Sequence, residues 1–171
     1  MKNSHPELEL HPLEEHHISL IDCWLRKEHA KQWFQDPEEW INEIIKRDSE
    51  FSFLKHFIVY SDNKPIGFCQ FYLCADADEE EFRMFPKEGT YSIDYLIGEE
   101  DYLGKGFGKE MILKLCSIVF NKDDSKMIVV KPDNDNFLSR TVLTSAGFSF
   151  DKAHNVYLLL KNAHFKNINQ S

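Results

Sequence analysis

The chain has 171 residues, of which 42% are apolar and 13% aromatic, and a formal net charge of -9. That length and apolar content fit one domain with one core, expected over 1–171, and the acidity argues against nucleic-acid or anionic-membrane partners, which offer no cations to an acidic surface. No apolar run reaches the roughly 18 residues a membrane helix needs, and the start, Met1 to Leu8, lacks an apolar leader core, so a cytoplasmic protein is expected.

Leu8 to Leu13 alternates like a short first strand. Glu14 to Arg26 places Ile18, Ile21, Trp24 and Leu25 at helical spacing, and Glu28 to Phe34 reads as a linker with large aromatics. Asp36-Pro37-Glu38-Glu39 is a helix start, with an N-cap, proline at N1 and acids in the first turn; the helix continues through Ile45. Phe57 to Tyr60 and Ile66 to Leu73 are strands joined by Ser61-Asp-Asn-Lys-Pro65, which has hairpin-turn chemistry. Ala75 to Glu88 is polar and acidic and reads as a loop or the mobile end of a long hairpin. Thr90 to Gly98 is a strand, Gly106 to Phe120 a helix, and Met127 to Val130 a strand stopped by Lys131-Pro132. A helix over Asn136 to Ala146 ends at the C′ glycine Gly147, and Phe148 to Phe150 and Val156 to Leu160 are final strands. The tail from Asn162 is polar and reads as frayed. This order gives a mixed α/β fold without the strict alternation of a doubly wound sheet.

The chemistry concentrates between Asp94 and Lys109. Three of the seven glycines, Gly104, Gly106 and Gly108, fall within five residues at a helix start. Such a turn brings backbone N–H groups close to a bound anion, and the first helical amides add to them. It is not a Walker A loop, because Glu110 follows Lys109 where Ser or Thr would hold magnesium. Nor is it a dinucleotide fingerprint, which wants glycine at position 109. A carboxylate, Asp94, one short strand from a phosphate cradle suggests a group-transfer enzyme with a phosphate-bearing donor. Cys23, Cys69, Cys74 and Cys116 lack CxxC spacing and read as reduced core residues. His16, His17, His29 and His56 show no metal-ligand spacing, so no metal is expected and they fall to surface or core. The acidic run Asp76 to Glu81 reads as a solvated loop that could attract a cation.

Leu103-Gly-Lys-Gly-Phe-Gly108 resembles the coenzyme-binding turn of the GNAT superfamily of acyl-CoA-dependent N-acetyltransferases. Downstream, Asn136-Phe-Leu-Ser-Arg-Thr-Val-Leu-Thr-Ser-Ala-Gly-Phe148 is similar to that family's Asn-x-x-Ala-x-x-x-Tyr-x-Lys-x-Gly-Phe. Within the superfamily, Ser92-Ile-Asp94 ten residues before the turn, and Trp33-Phe34 after the first helix, are most similar to the aminoglycoside 6'-N-acetyltransferases. The resemblance implies a central mixed, mostly antiparallel, splayed sheet flanked by helices, and acetyl-CoA as co-substrate. It implies that Leu96 and Ile97 pair with the pantetheine arm. Leu103, Gly104, Lys105, Gly106, Phe107, Gly108 and Lys109 would hold the pyrophosphate, and Asn136 would line the coenzyme. Asp94 is the implied general base or amine-orienting carboxylate, with Trp33, Phe34 and Lys131 at the acceptor.

An ammonium cannot attack a thioester until it loses a proton, and a carboxylate can take that proton. Four residues depart from the pattern. Leu143 stands where the family often has a tyrosine acid, Ser139 replaces an alanine, Ser145 replaces a basic residue, and Lys131-Pro132 replaces Asp-Pro, a change that would repel a cationic sugar. The expected partner is a small amine, an aminoglycoside or relative. Alternatives are a siderophore-precursor amine, a protein or peptide amine, or a non-catalytic acyl-CoA-binding module. A magnesium-nucleotide binder is a further alternative that lacks its Ser or Thr. The expected assembly is a monomer or homodimer.

Overall fold

The computed structural model describes residues 7–170; the stretch 1–6, read above for a leader, lies outside the described residues. The chain runs β1 (Leu8–Pro12), a 3-10 turn (Glu15–His17) leading into α1 (Ile18–Leu25), α2 (Glu28–Lys31), α3 (Pro37–Ile45), β2 (Lys55–Ser61) and β3 (Lys64–Leu73). It continues with α4 (Cys74–Ala77), a 3-10 turn (Glu80–Phe82), β4 (Thr90–Ile97), another 3-10 turn (Glu100–Tyr102), α5 (Phe107–Phe120) and β5 (Met127–Val130). It closes with α6 (Phe137–Ser145), β6 (Ser149–Asp151), β7 (Val156–Leu160) and α7 (Lys161–Asn169).

Among the described residues seven strands make an open, mixed sheet in the order β1-β2-β3-β4-β5-β7-β6. β1–β2, β5–β7 and β6–β7 are antiparallel, whereas β4–β5 is parallel. The parallel pair is short. Thr90 faces Met127 and Tyr91 faces Ile128, and the register goes no further although β4 continues to Ile97. Pairing between β4 and β5 thus ends at Tyr91.

Two compact units divide the chain. One holds residues up to Gln70 and Tyr95–Met111; the other holds Phe71–Asp94 and the chain from Ile112 onward. In the first unit Ile21, Trp24, Leu25, Ile44, Ile58 and Phe68 form a core that is fully buried, and Leu96 joins it. In the second, Cys74, Phe82, Val129 and Val156 pack together, and α5 buries Ile112, Leu115, Val119 and Phe120.

Local chemistry explains the element boundaries. The Asp36 carboxylate accepts from the Glu39 amide and caps α3 ahead of Pro37. Asp62 and Asn63 both take positive φ, the backbone that a two-residue hairpin turn between β2 and β3 requires. Gly147 has φ +98, and a Cβ there would come 2.6 Å from Asn167 Nδ2.

Four expectations are corrected. The Glu28 to Phe34 linker contains the helical turn α2, anchored by the buried Ala30. The Ala75 to Glu88 segment is not a mobile hairpin end, because Phe82 is buried in the second core. The tail from Asn162 is helix α7: buried His164 bonds Ser117 Oγ at 2.9 Å and packs against Phe120. Cys23 is exposed, while the other three cysteines are buried as expected.

Candidate active site

In the first unit, β4 hands the chain to the glycine turn. Gly98 is obligatory there, since a Cβ would meet the Trp24 ring at 2.1 Å. After the Glu100–Tyr102 turn, Leu103 is extended, and Gly104 and Gly106 take φ of +69 and +88. A Cβ at either glycine would meet nothing within 4 Å. The backbone is thus left-handed and bare on an exposed surface, where a ligand can approach it closely. Phe107 is buried against the Tyr102 ring at 5.0 Å, and Lys64 Nζ stands 5.4 Å over that ring, which fixes the turn at the start of α5. Lys105 and Lys109 are exposed and Gly108 is half-buried. A bare cradle, a helix N-terminus and two lysines together fit the pyrophosphate of a coenzyme.

Leu96 and Ile97 are buried at the end of β4. The Ile97 carbonyl already accepts from His29 Nε2 at 2.8 Å, and the Gly98 carbonyl from Lys27 Nζ at 3.0 Å. Trp24 Nε1 donates to Glu99 Oε1 at 2.8 Å, and this bond holds the Glu99 carboxyl below its ordinary range. Trp33 and Phe34 are half-buried just beyond α2, and Phe34 meets Trp40 edge-on at 5.1 Å.

In the second unit, Asp94 is half-buried on the stretch of β4 that has left β5. Its carboxylate lies close enough to Tyr72, Cys74 and Glu79 to perturb all three. Tyr72 donates its hydroxyl to Glu79 Oε1 at 2.8 Å and also bonds Ser92. Burial, then Asp94 and Glu79, push the Tyr72 phenol far above its ordinary value, so it stays protonated at any working pH. Burial and Glu79 push the Cys74 thiol up to about 12, which removes it as a nucleophile. Glu79 itself is raised, first by burial; the Tyr72 bond opposes this, and Asp94 and Glu81 add to it. A group of partly desolvated carboxylates favours a cation beside it.

Lys131 Nζ lies 3.4 Å from Glu81 Oε2, so its charge is locally offset. The repulsion expected from a lysine after β5 is correspondingly reduced. Asn136 caps α6 by accepting the Ser139 amide at 3.0 Å, which leaves its NH2 as the group it can offer a ligand. Leu143, at the position of the family's tyrosine, is fully buried. Among the described residues no group of three His, Cys, Asp or Glu side chains could hold a metal.

The sequence did not single out Tyr72, offered Glu79 only within the acidic run Asp76 to Glu81 that could attract a cation, and left Lys27 and His29 without a role. The even spacing of Gln70 and Tyr72 along β3 marks one face of a strand; nothing local marks Glu79 as half-buried.

The sequence profile of the Acetyltransferase (GNAT) domain family matches residues 14–156. Aminoglycoside N(6')-acetyltransferase type 1 of Klebsiella pneumoniae is 22% identical over 156 residues, covering 85% of this chain and 76% of the relative. The fold is that of the aminoglycoside acetyltransferase AAC(6')-Ib in complex with coenzyme A (TM-score 0.79, 19% identity, 95% of this chain and 99% of that one). The same enzyme with coenzyme A and kanamycin gives a TM-score of 0.77. A spermidine N-acetyltransferase SpeG chimera that includes the Vibrio cholerae protein gives 0.70 at 14% identity, covering 92% of this chain and 98% of that one. The chain belongs to the GNAT family and is an acetyl-CoA-dependent N-acetyltransferase.

Proposed function

We propose that the chain, acting in the cytoplasm as one catalytic domain over 1–171 and as a monomer or homodimer, acetylates a primary amine of a small polycationic molecule. The aminoglycosides are the first class to test. One observation carries the choice of a cationic acceptor: Asp94 sits on β4 beyond its pairing with β5, beside Tyr72 and the half-buried Glu79, whose carboxyl is raised by burial. The names of the similar proteins agree, because kanamycin and spermidine are both polyamines.

Acetyl-CoA supplies the activated thioester. The amides of Leu103 to Gly108 and the first turn of α5 hold its pyrophosphate, with Lys105 and Lys109 offsetting charge. Backbone groups of Leu96 and Ile97 pair with the pantetheine arm, and the Asn136 NH2 lines the coenzyme. Asp94 orients the ammonium and takes one proton, which frees the nitrogen lone pair. The amine attacks the thioester carbonyl, the C–S bond breaks, and the nitrogen's second proton goes to the departing coenzyme thiolate, since Leu143 has none to give. Tyr72 keeps its proton and holds Glu79. Trp33 and Phe34 wall the acceptor, and Lys131, tied to Glu81, borders it without acting as a free cation.

The test is thiol release from acetyl-CoA with kanamycin, ribostamycin, spermidine, a hydroxylated diamine and a lysine peptide. Turnover with the polycations above the peptide is expected. Preference for the peptide, or thiol release that no amine increases, would overturn the reading.

A further inference from the structure

Three side chains of the first unit converge on the end of β4. His29 holds the Ile97 carbonyl, Lys27 the Gly98 carbonyl and Trp24 the Glu99 carboxylate. The His29 bond is chemically directional. A carbonyl can only accept, so Nε2 carries the hydrogen and Nδ1 faces Glu100 Oε1 at 3.8 Å.

The other end of this bond is α2, a single turn of four residues. A helix that short has no stability of its own. Its N-cap, Lys27, makes no side-chain cap bond, so the turn depends on tertiary contacts. Trp33 and Phe34 hang directly from it: both donate their amides to the Ala30 carbonyl, at 2.9 and 3.0 Å. The two aromatics are thus linked to β4 through Ala30, the α2 turn and the His29 ring. Lys27 and Trp24 hold the residues after Ile97, so the strand end keeps two anchors if His29 is removed.

We propose that His29 is a positioning residue for the amine acceptor: its bond to the Ile97 carbonyl holds the α2 turn, and with it Trp33 and Phe34, against the end of β4. This rests on the reading above that the two aromatics wall the acceptor. His29 touches neither substrate nor coenzyme in this role. It converts a polar, one-turn segment into a fixed support.

His29→Gln, His29→Asn and His29→Ala separate this role from simple packing. The glutamine amide nitrogen reaches about as far as Nε2, whereas the asparagine nitrogen stops near Nδ1. With kanamycin or spermidine, whichever the wild type acetylates, Ala and Asn should raise the amine KM about fivefold to tenfold, the loss of one hydrogen bond. The acetyl-CoA KM should hold within about twofold, and Gln should restore the amine KM. Amide hydrogen exchange on the full chain without ligands provides a substrate-independent arm: exchange over residues 30–34 should quicken in Ala and Asn but not in Gln. Unchanged exchange in all three variants overturns the proposal, as does a Gln variant that behaves like Ala. A shift in the acetyl-CoA KM alone also overturns it. Trp33→Ala and Phe34→Ala with wild-type amine KM would instead defeat the acceptor-wall reading while leaving the exchange result standing.

Discussion

Gly106→Ala separates a coenzyme cradle from a loop that merely needs to bend. Gly106 has φ +88, and the added Cβ would meet no atom within 4 Å. The folded protein therefore suffers no clash, only the cost of placing an L-residue in left-handed backbone, about 1 kcal/mol. For a chain of this size that is a Tm loss of roughly 2–4 °C. The effect on coenzyme binding should be much larger. The methyl group enters the space the ligand needs, and any relaxation toward negative φ re-aims the amides that follow. Each charge-assisted hydrogen bond lost is worth about 1.5–3 kcal/mol, or roughly 10- to 150-fold in Kd. Titration calorimetry with coenzyme A and thermal unfolding on the same preparations read both quantities. A Tm loss of that size with an unchanged coenzyme Kd would refute the cradle, and Gly106 would then serve only the turn.

Two further predictions concern pH. His56 is buried, stacks on Phe68 at 6.0 Å and is lowered to about 4, chiefly by burial and secondarily by Arg47 and Lys55. The unfolded chain then binds more protons between the ordinary 6.5 and about 4, so stability is complete above that window and is lost as pH falls through it; from pH 7 to 5 the loss is on the order of 2 kcal/mol. Urea unfolding at both pH values should show a smaller difference in His56→Phe than in wild type, and an equal difference would contradict the assignment. Glu79 has the opposite sign: its raised carboxyl favours the protonated folded state, so stability falls as pH rises from the ordinary glutamate range through the raised value. Glu79→Gln should keep the Tyr72 bond and melt at or above the wild-type Tm at pH 7, with the gap closing in acid; a lower Tm at pH 7 would mean that the charge itself is stabilising.

The sequence made the large elements legible wherever one residue type has one physical use. Asp36-Pro37 could only begin a helix, Asp62-Asn63 only turn a hairpin, and Gly147 only end a helix. The glycine turn was legible for the same reason: positive φ at Gly104 and Gly106 is what glycine supplies. Short polar segments were not, because one buried side chain decides them. Ala30 docks α2, Phe82 docks the acidic loop, and His164 docks α7 through a hydrogen bond spanning 47 positions. Around Asp94, the carboxylate was visible from its place in the strand, but Glu79 was legible only as one acid of a solvated run. Its half-buried state comes from Tyr72 and the turn that follows α4, a pairing no periodicity marks. Lys131 shows the converse, a residue whose identity suggested repulsion and whose partner, Glu81, offsets it.

In the proposed function Asp94 handles the amine's proton and not the coenzyme. This role is tested most directly by measuring kcat with the preferred amine, and Kd for coenzyme A, in wild type and Asp94→Ala. Loss of a general base should lower kcat by about 10²- to 10⁴-fold with the coenzyme Kd unchanged. Wild-type turnover in Asp94→Ala would contradict the assignment, and so would a fall in activity that coenzyme Kd alone explains.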